Sequence, residues 1–270
     1  MKKFIYTILF LMLPLRASSQ EYHPWCYRDS TDYGENMTRT LSLLGKSTAN
    51  QPYDVNILVY GQSVSKQKWW LFLEENLKAK FPYARIHMVN KSVGGFASQK
   101  LWKTTIFDVL PFYPDLVIFH VFGSHIDYEK ILQMIRSKTT AEMLVWNDPW
   151  AGPDTWADTM SYHLIPAFCE RYKLEFANIR TKWIEYLGEH NLQGRELRHD
   201  GVHLNDEGNR LLAAMLMPYF NYDPGRTPDP YHLVDTIVPA KPVQPGSLGL
   251  HFTGNRVDLY LEPFTNDTVK

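Results

Sequence analysis

Apolar residues gather along the chain in short β-rich runs, separated by longer stretches with helical spacing. Asn56 to Tyr60 (NILVY) is the first such run. Trp70, Leu73, Leu77 and Phe81 then recur at intervals of three and four, which predicts a helix over 66–81. Arg85 to Asn90 reads as a second strand and Gln99 to Leu110 as a helix. Leu116 to Phe122 (LVIFHVF) is apolar at nearly every position, as in a strand covered on both faces. A helix over 128–138, a strand over 142–146, a helix over 155–172 and a strand over 174–178 follow, and Asp206 to Phe220 is a strongly amphipathic last helix. Strands alternating with helices predict βαβ crossovers, hence an α/β fold with a central parallel sheet of about five strands. Ligands bind such sheets beyond the carboxyl ends of their strands.

The ends of the chain have another character. Lys2 and Lys3, the apolar run from Phe4 to Leu15 and the small residues Ala17, Ser18 and Ser19 predict a signal peptide over 1–20, hence export to the periplasm or beyond the cell. That run is short for a membrane span, so no stable membrane insertion is expected once it is cleaved. Residues 21–222 are expected to form the main domain. Over 223–270 a strap rich in Pro and Asp leads to an alternating segment around Gly254-Asn255, a hairpin or a truncated β-module. Cys26 and Cys169 are the two cysteines and could pair in an oxidising compartment. A net charge of −1 without a basic run excludes a nucleic-acid surface. The 8 Trp and 16 Tyr suit both a core and a carbohydrate site, with Trp146, Trp150 and Trp156 grouped around the loop after the fourth strand.

Four short motifs carry candidate chemistry. Ser63, in Gly61-Gln62-Ser63, follows the first strand and precedes a helix, a place for a nucleophile or for a helix N-cap. Asp200-Gly-Val-His203 precedes the last helix. Its spacing lets a carboxylate hold one imidazole nitrogen while the other faces a serine, and it also suits a surface turn. Gly94-Gly95 follows the second strand, where a backbone N–H could point at an oxyanion or simply form a tight turn. Gly123-Ser124-His125 follows the third strand, and His120 within it reads as core. His199, Asp200 and His203 lack a matched ligand pair elsewhere, so no metal is expected.

In this order and placement the motifs resemble the SGNH/GDSL hydrolases over residues 56–220, and especially their carbohydrate-esterase members, some of which share the GQS form of the first block. The resemblance implies a flavodoxin-like three-layer α/β/α fold. It also implies a Ser63–His203–Asp200 triad and an oxyanion hole from Ser63, Gly95 and His125, without a cofactor. His125 stands where the family has asparagine, since the third block reads GSHID rather than GxND; a neutral imidazole still has one N–H to donate. The implied activity is deacetylation of an acylated polysaccharide or oligosaccharide. The rival expectations are a lipase or thioesterase for longer acyl chains and a decayed, glycan-binding scaffold.

Overall fold

A computed structural model describes residues 33–226, which lie in one compact unit. The expected signal peptide, Cys26, most of the Pro-rich strap and the terminal hairpin lie outside the described residues. Five strands form one sheet: β1 (Asp54–Gly61), β2 (Arg85–Asn90), β3 (Leu116–His120), β4 (Glu142–Trp146) and β5 (Glu175–Ala177). All neighbours are parallel and the order is β2-β1-β3-β4-β5, the flavodoxin-like order. The chain winds outward in opposite directions from β1 (to β2) and from β3 (to β4 and β5), so the loops leaving β1 and β3 open a crevice at the sheet's carboxyl edge.

Side-chain alternation divides the core into two layers. Ile57 and Val59 of β1 face one side, packing with helices α1 (Thr38–Lys46), α2 (Trp69–Lys80), α8 (Ile179–Glu189) and α9 (Asp206–Leu216). Leu58 and Tyr60 face the other side. There they pack with the short helices α3 (Ser98–Leu101) and α4 (Thr105–Val109), with α5 (His125–Lys138), and with α7 (Ile165–Tyr172). Strands β3 and β4 are buried at every residue, as their continuous apolar runs predict.

Three helices depart from the sequence pattern. The stretch expected as one helix over 99–110 breaks into α3, α4 and a 3-10 turn at Leu110–Phe112. The hydroxyls of Thr104 and Thr105 both donate to the Leu101 carbonyl, at 3.2 and 3.0 Å, and Pro111 follows. Such local bonds compete with the regular helical ladder. The helix over 155–172 is present but contains a π turn at Met160–Leu164, between α6 (Thr155–Thr159) and α7. Pro166 has no N–H to donate, and just before it the Ile165 N–H reaches back five residues to the Met160 carbonyl. Finally, α2 starts at Trp69 rather than at Lys66.

Candidate active site

The late start of α2 leaves Ser63 in a tight turn between β1 and the helix. The Lys66 N–H bonds to the carbonyls of Gln62 and Ser63, and the Gln67 N–H to that of Val64. Neighbours hold the turn from three sides. Ser65 Oγ donates to the His120 carbonyl at 2.9 Å, Asn90 Nδ2 donates to the Ser65 carbonyl at 2.8 Å, and Trp69 Nε1 donates to the Val64 carbonyl at 3.0 Å. Gly61 is required here because a Cβ would lie 1.9 Å from the His120 carbonyl oxygen, too close for any side chain. The half-buried Ser63 is thus presented on a fixed turn. Its Oγ makes no hydrogen bond to any described residue.

The second side of the site is a tight loop closed by an antiparallel bridge between Arg198 and Leu204, with the His199 N–H bonded to the His203 carbonyl. Asp200 organises this loop. Its Oδ1 accepts the N–H groups of Val202 and His203, and its Oδ2 accepts His203 Nδ1–H at 2.8 Å. The backbone N–H of His203, then its ring and the Val202 N–H, hold the Asp200 carboxyl well below the usual carboxylate range. With Nδ1 occupied, Nε2 of His203 is left without a described partner. The loop is tied to the serine turn by Gln67, whose amide donates to the Leu204 carbonyl at 3.0 Å and accepts the Leu204 N–H at 3.1 Å. His199 Nδ1 also lies 3.3 Å from Asp200 Oδ2. His199, Asp200 and His203 therefore offer ligand atoms within 4.8 Å of one another. A metal held there would compete with the Asp200–His203 bond.

A cavity of about 340 Å³ opens between these parts. Ser63 lines it together with Gly201 and Val202 of the Asp200–His203 loop, with Asp148, Asp154, Arg180 and Arg198 as its charged residues and with Phe122 and Trp156 as its aromatic side. The indole expectation needs correction for Trp146, which is fully buried against Trp69 and His120. Trp150 packs half-buried against the core. Trp156 does reach the cavity, donating Nε1–H to the Gly123 carbonyl at 2.9 Å and packing on the exposed Phe122 ring at 4.0 Å.

Gly95 and His125 are not among the residues lining this cavity. Gly95 has φ of +75° with open space around it, so glycine is there for its backbone angle, and its N–H meets no described acceptor. The Ser63 N–H is likewise unpartnered. His125 is the exposed first residue of α5, behind the N-cap Ser124.

No family model and no curated protein matches the sequence. Solved structures do match the fold. An acetyl xylan esterase has a TM-score of 0.53 at 19% identity, over 60% of this chain and 98% of its own. A putative GDSL-like lipase from Parabacteroides merdae gives 0.55 at 18% identity, over 64% and 98%. A two-domain esterase active on acetylated mannans gives 0.61 at 21% identity, over 75% of this chain and 60% of that one. The chain has the SGNH hydrolase fold. Within it, Ser63 lines the cavity, as do Gly201 and Val202 of the loop that carries Asp200 and His203, whereas Asp200 and His203 are not among its lining residues.

The pattern reading passed over Asp148, Arg180, Arg198 and Gln67. Asp148 alone had a visible signal, since it follows β4 at the same edge where the other polar residues gather.

Proposed function

We propose that this protein is a serine ester hydrolase that removes acetyl groups from a polysaccharide or oligosaccharide outside the cytoplasm. One observation carries the reading: the Asp200–His203 bond, in a loop bordering the cavity that Ser63 lines. With its proton held on Nδ1 by Asp200, His203 has Nε2 free to act as the base. Ser63 Oγ attacks the ester carbonyl and Nε2 takes its proton. That proton then passes to the departing sugar hydroxyl as the C–O bond breaks. Water attacks the acetyl-enzyme, again through Nε2, and acetate leaves.

The unpartnered N–H groups of Ser63 and Gly95 are the oxyanion donors in this reading. His125, whose ring has no described hydrogen bond holding it elsewhere, is the third. A carbohydrate ester fits a small cavity with a charged wall and an aromatic side. A long acyl chain would need apolar wall for each CH₂, at about 0.8 kcal/mol apiece.

The test is Ser63→Ala, assayed on 4-nitrophenyl acetate and on acetylated glycans, with a fluorophosphonate probe as a separate reporter. Hydrolysis should fall by up to about a millionfold and labelling should vanish, with the melting temperature unchanged. Activity that survives in the purified variant removes Ser63 from the mechanism. A kcat/KM that climbs with acyl length, without acetate release from glycans, points to a lipase instead.

A further inference from the structure

Asp148 stands on the cavity wall with Ser63, yet the triad chemistry does not use it. It sits two residues beyond β4, at the carboxyl edge where the sheet presents its ligand-binding loops. Oδ1 is committed to His120 Nε2 at 2.9 Å, and His120 Nδ1 lies 3.0 Å from the Trp146 carbonyl oxygen. Both partners are acceptors, so each ring nitrogen presents a hydrogen when both bonds are made. His120 itself is buried to 1% exposure and packs against the Trp146 ring, so the carboxylate is fixed in orientation.

Burial works to raise the Asp148 pKa. The His120 ring, with Arg180 and Arg198 beyond it, outweighs burial and holds the group below the usual range. The carboxylate is therefore charged, and its second oxygen, Oδ2, has no hydrogen-bond partner among the described residues although the side chain is only 24% exposed. Oδ2 is not among the buried polar atoms without a partner, so it is open to solvent, and the cavity that Asp148 lines is where a substrate donor can reach it.

The surrounding charges define that donor. A cationic group would meet Arg180 and Arg198 on the cavity wall, and an anionic group would meet Asp148 and Asp154. A neutral hydroxyl suffers neither repulsion. We infer that Asp148 is a substrate-recognition residue, whose Oδ2 accepts a hydrogen bond from a free hydroxyl on the sugar ring while Ser63 attacks the acetyl ester on that ring. This rests on the esterase reading above and narrows it to partially acetylated sugars that keep a hydroxyl within reach of the ester.

The experiment measures kcat/KM for the full-length protein on two sets of mono-acetylated methyl glycosides, one with the remaining hydroxyls free and one with them O-methylated. The wild type should favour a free-hydroxyl substrate by about ten- to a hundredfold, the range for a hydrogen bond to a charged group. In Asp148→Asn, which keeps the side-chain shape, that ratio should shrink severalfold. In Asp148→Ala it should fall to near one. A residue that only steadied His120 would slow both substrates alike and leave the ratio intact, which overturns the inference. A wild-type ratio near one overturns it without any variant, so a misfolded mutant cannot shelter it. If Ser63-dependent hydrolysis of 4-nitrophenyl acetate persists in that case, only the Asp148 role is lost. If Ser63→Ala has no effect on any substrate, the esterase reading falls as well.

Discussion

The two ends of the sheet are both rich in polar side chains, but they treat them differently. At the amino end, Asp115, Glu142 and Glu175 stand at the starts of β3, β4 and β5, and each of their six carboxylate oxygens accepts a hydrogen bond. Glu175 takes the N–H groups of Gly34 and Asn36, and Glu142 those of Arg39 and Thr40. Asp115 takes Arg39 Nη1 and the Asn56 N–H. The strands thereby cap the start of α1 and the 3-10 turn at Glu35–Met37 before it, satisfying N–H groups that a helix cannot pair for itself. At the carboxyl end, Ser63 Oγ, His203 Nε2 and Asp148 Oδ2 have no described partner. Saturated polar groups hold a structure, whereas unsaturated ones gathered around a cavity are available to a substrate. The contrast separates scaffold from chemistry without reference to any relative.

Substitutions at the two ends should therefore fail in opposite ways. The largest effect is expected at the carboxyl end. Asp200→Asn keeps the shape of the loop but places an amide opposite His203 Nδ1, favouring the wrong tautomer. Turnover should drop by about four orders of magnitude, with the melting temperature nearly unchanged because the group is exposed. Steady-state rates on an acetyl ester, taken beside a thermal melt, provide the check. A loss under tenfold would mean that another group orients His203.

Glu142→Gln should behave conversely. Its amide still accepts one of the two N–H groups from Arg39 and Thr40 but turns an NH₂ towards the other. A buried donor left in this state costs about 1–3 kcal/mol. For a domain of this size that lowers the melting temperature by about 2–4 °C per kcal/mol, while kcat at a temperature where the variant is folded should match the parent. A large fall in kcat with no change in melting would erase the distinction between the two ends.

The difference between the ends also explains what could be read in advance. The strands were legible because their apolar runs are local, and β2 and β4 lie where the pattern puts them. The Asp200–His203 pair was legible because its partners are three residues apart. Helix α1 has no counterpart in the local pattern, because its start is stabilised by carboxylates more than 100 residues away, which no local cap reveals. Helix α8 was missed for another reason: it begins directly after β5, with only the N-cap Asn178 between them. Its buried Arg180 pairs with Asp158 on α6 at 2.7 Å, a polar residue in the core that breaks the apolar stripe. Likewise His120 reads as core and is buried, but its pairing with Asp148, 28 residues on, joins β3 to the loop after β4. Long-range polar pairs were the part that periodicity could not carry.

Gln67 tests the boundary between the two behaviours, because it is saturated yet lies at the carboxyl end. It spans 137 residues of sequence to bond both backbone groups of Leu204, the neighbour of His203, so it sets the distance between the serine turn and the histidine loop. Gln67→Ala removes both bonds, but Asn209 Nδ2 still reaches the Leu204 carbonyl at 3.2 Å and keeps the loop from leaving. The expected result is a looser register between Ser63 and His203 rather than a lost one, lowering kcat by about tenfold, equivalent to about 1.4 kcal/mol of barrier, with KM little changed. Fluorophosphonate labelling should slow by a similar factor, since it depends on the same pairing but on no sugar contact. Gln67→Glu, which still accepts the Leu204 N–H, should recover part of the rate. A purely structural glutamine would instead lower the melting temperature and leave kcat and labelling untouched below it. In that case the saturated groups of the carboxyl end would belong with the scaffold, and the active machinery would end at Ser63, Asp200 and His203.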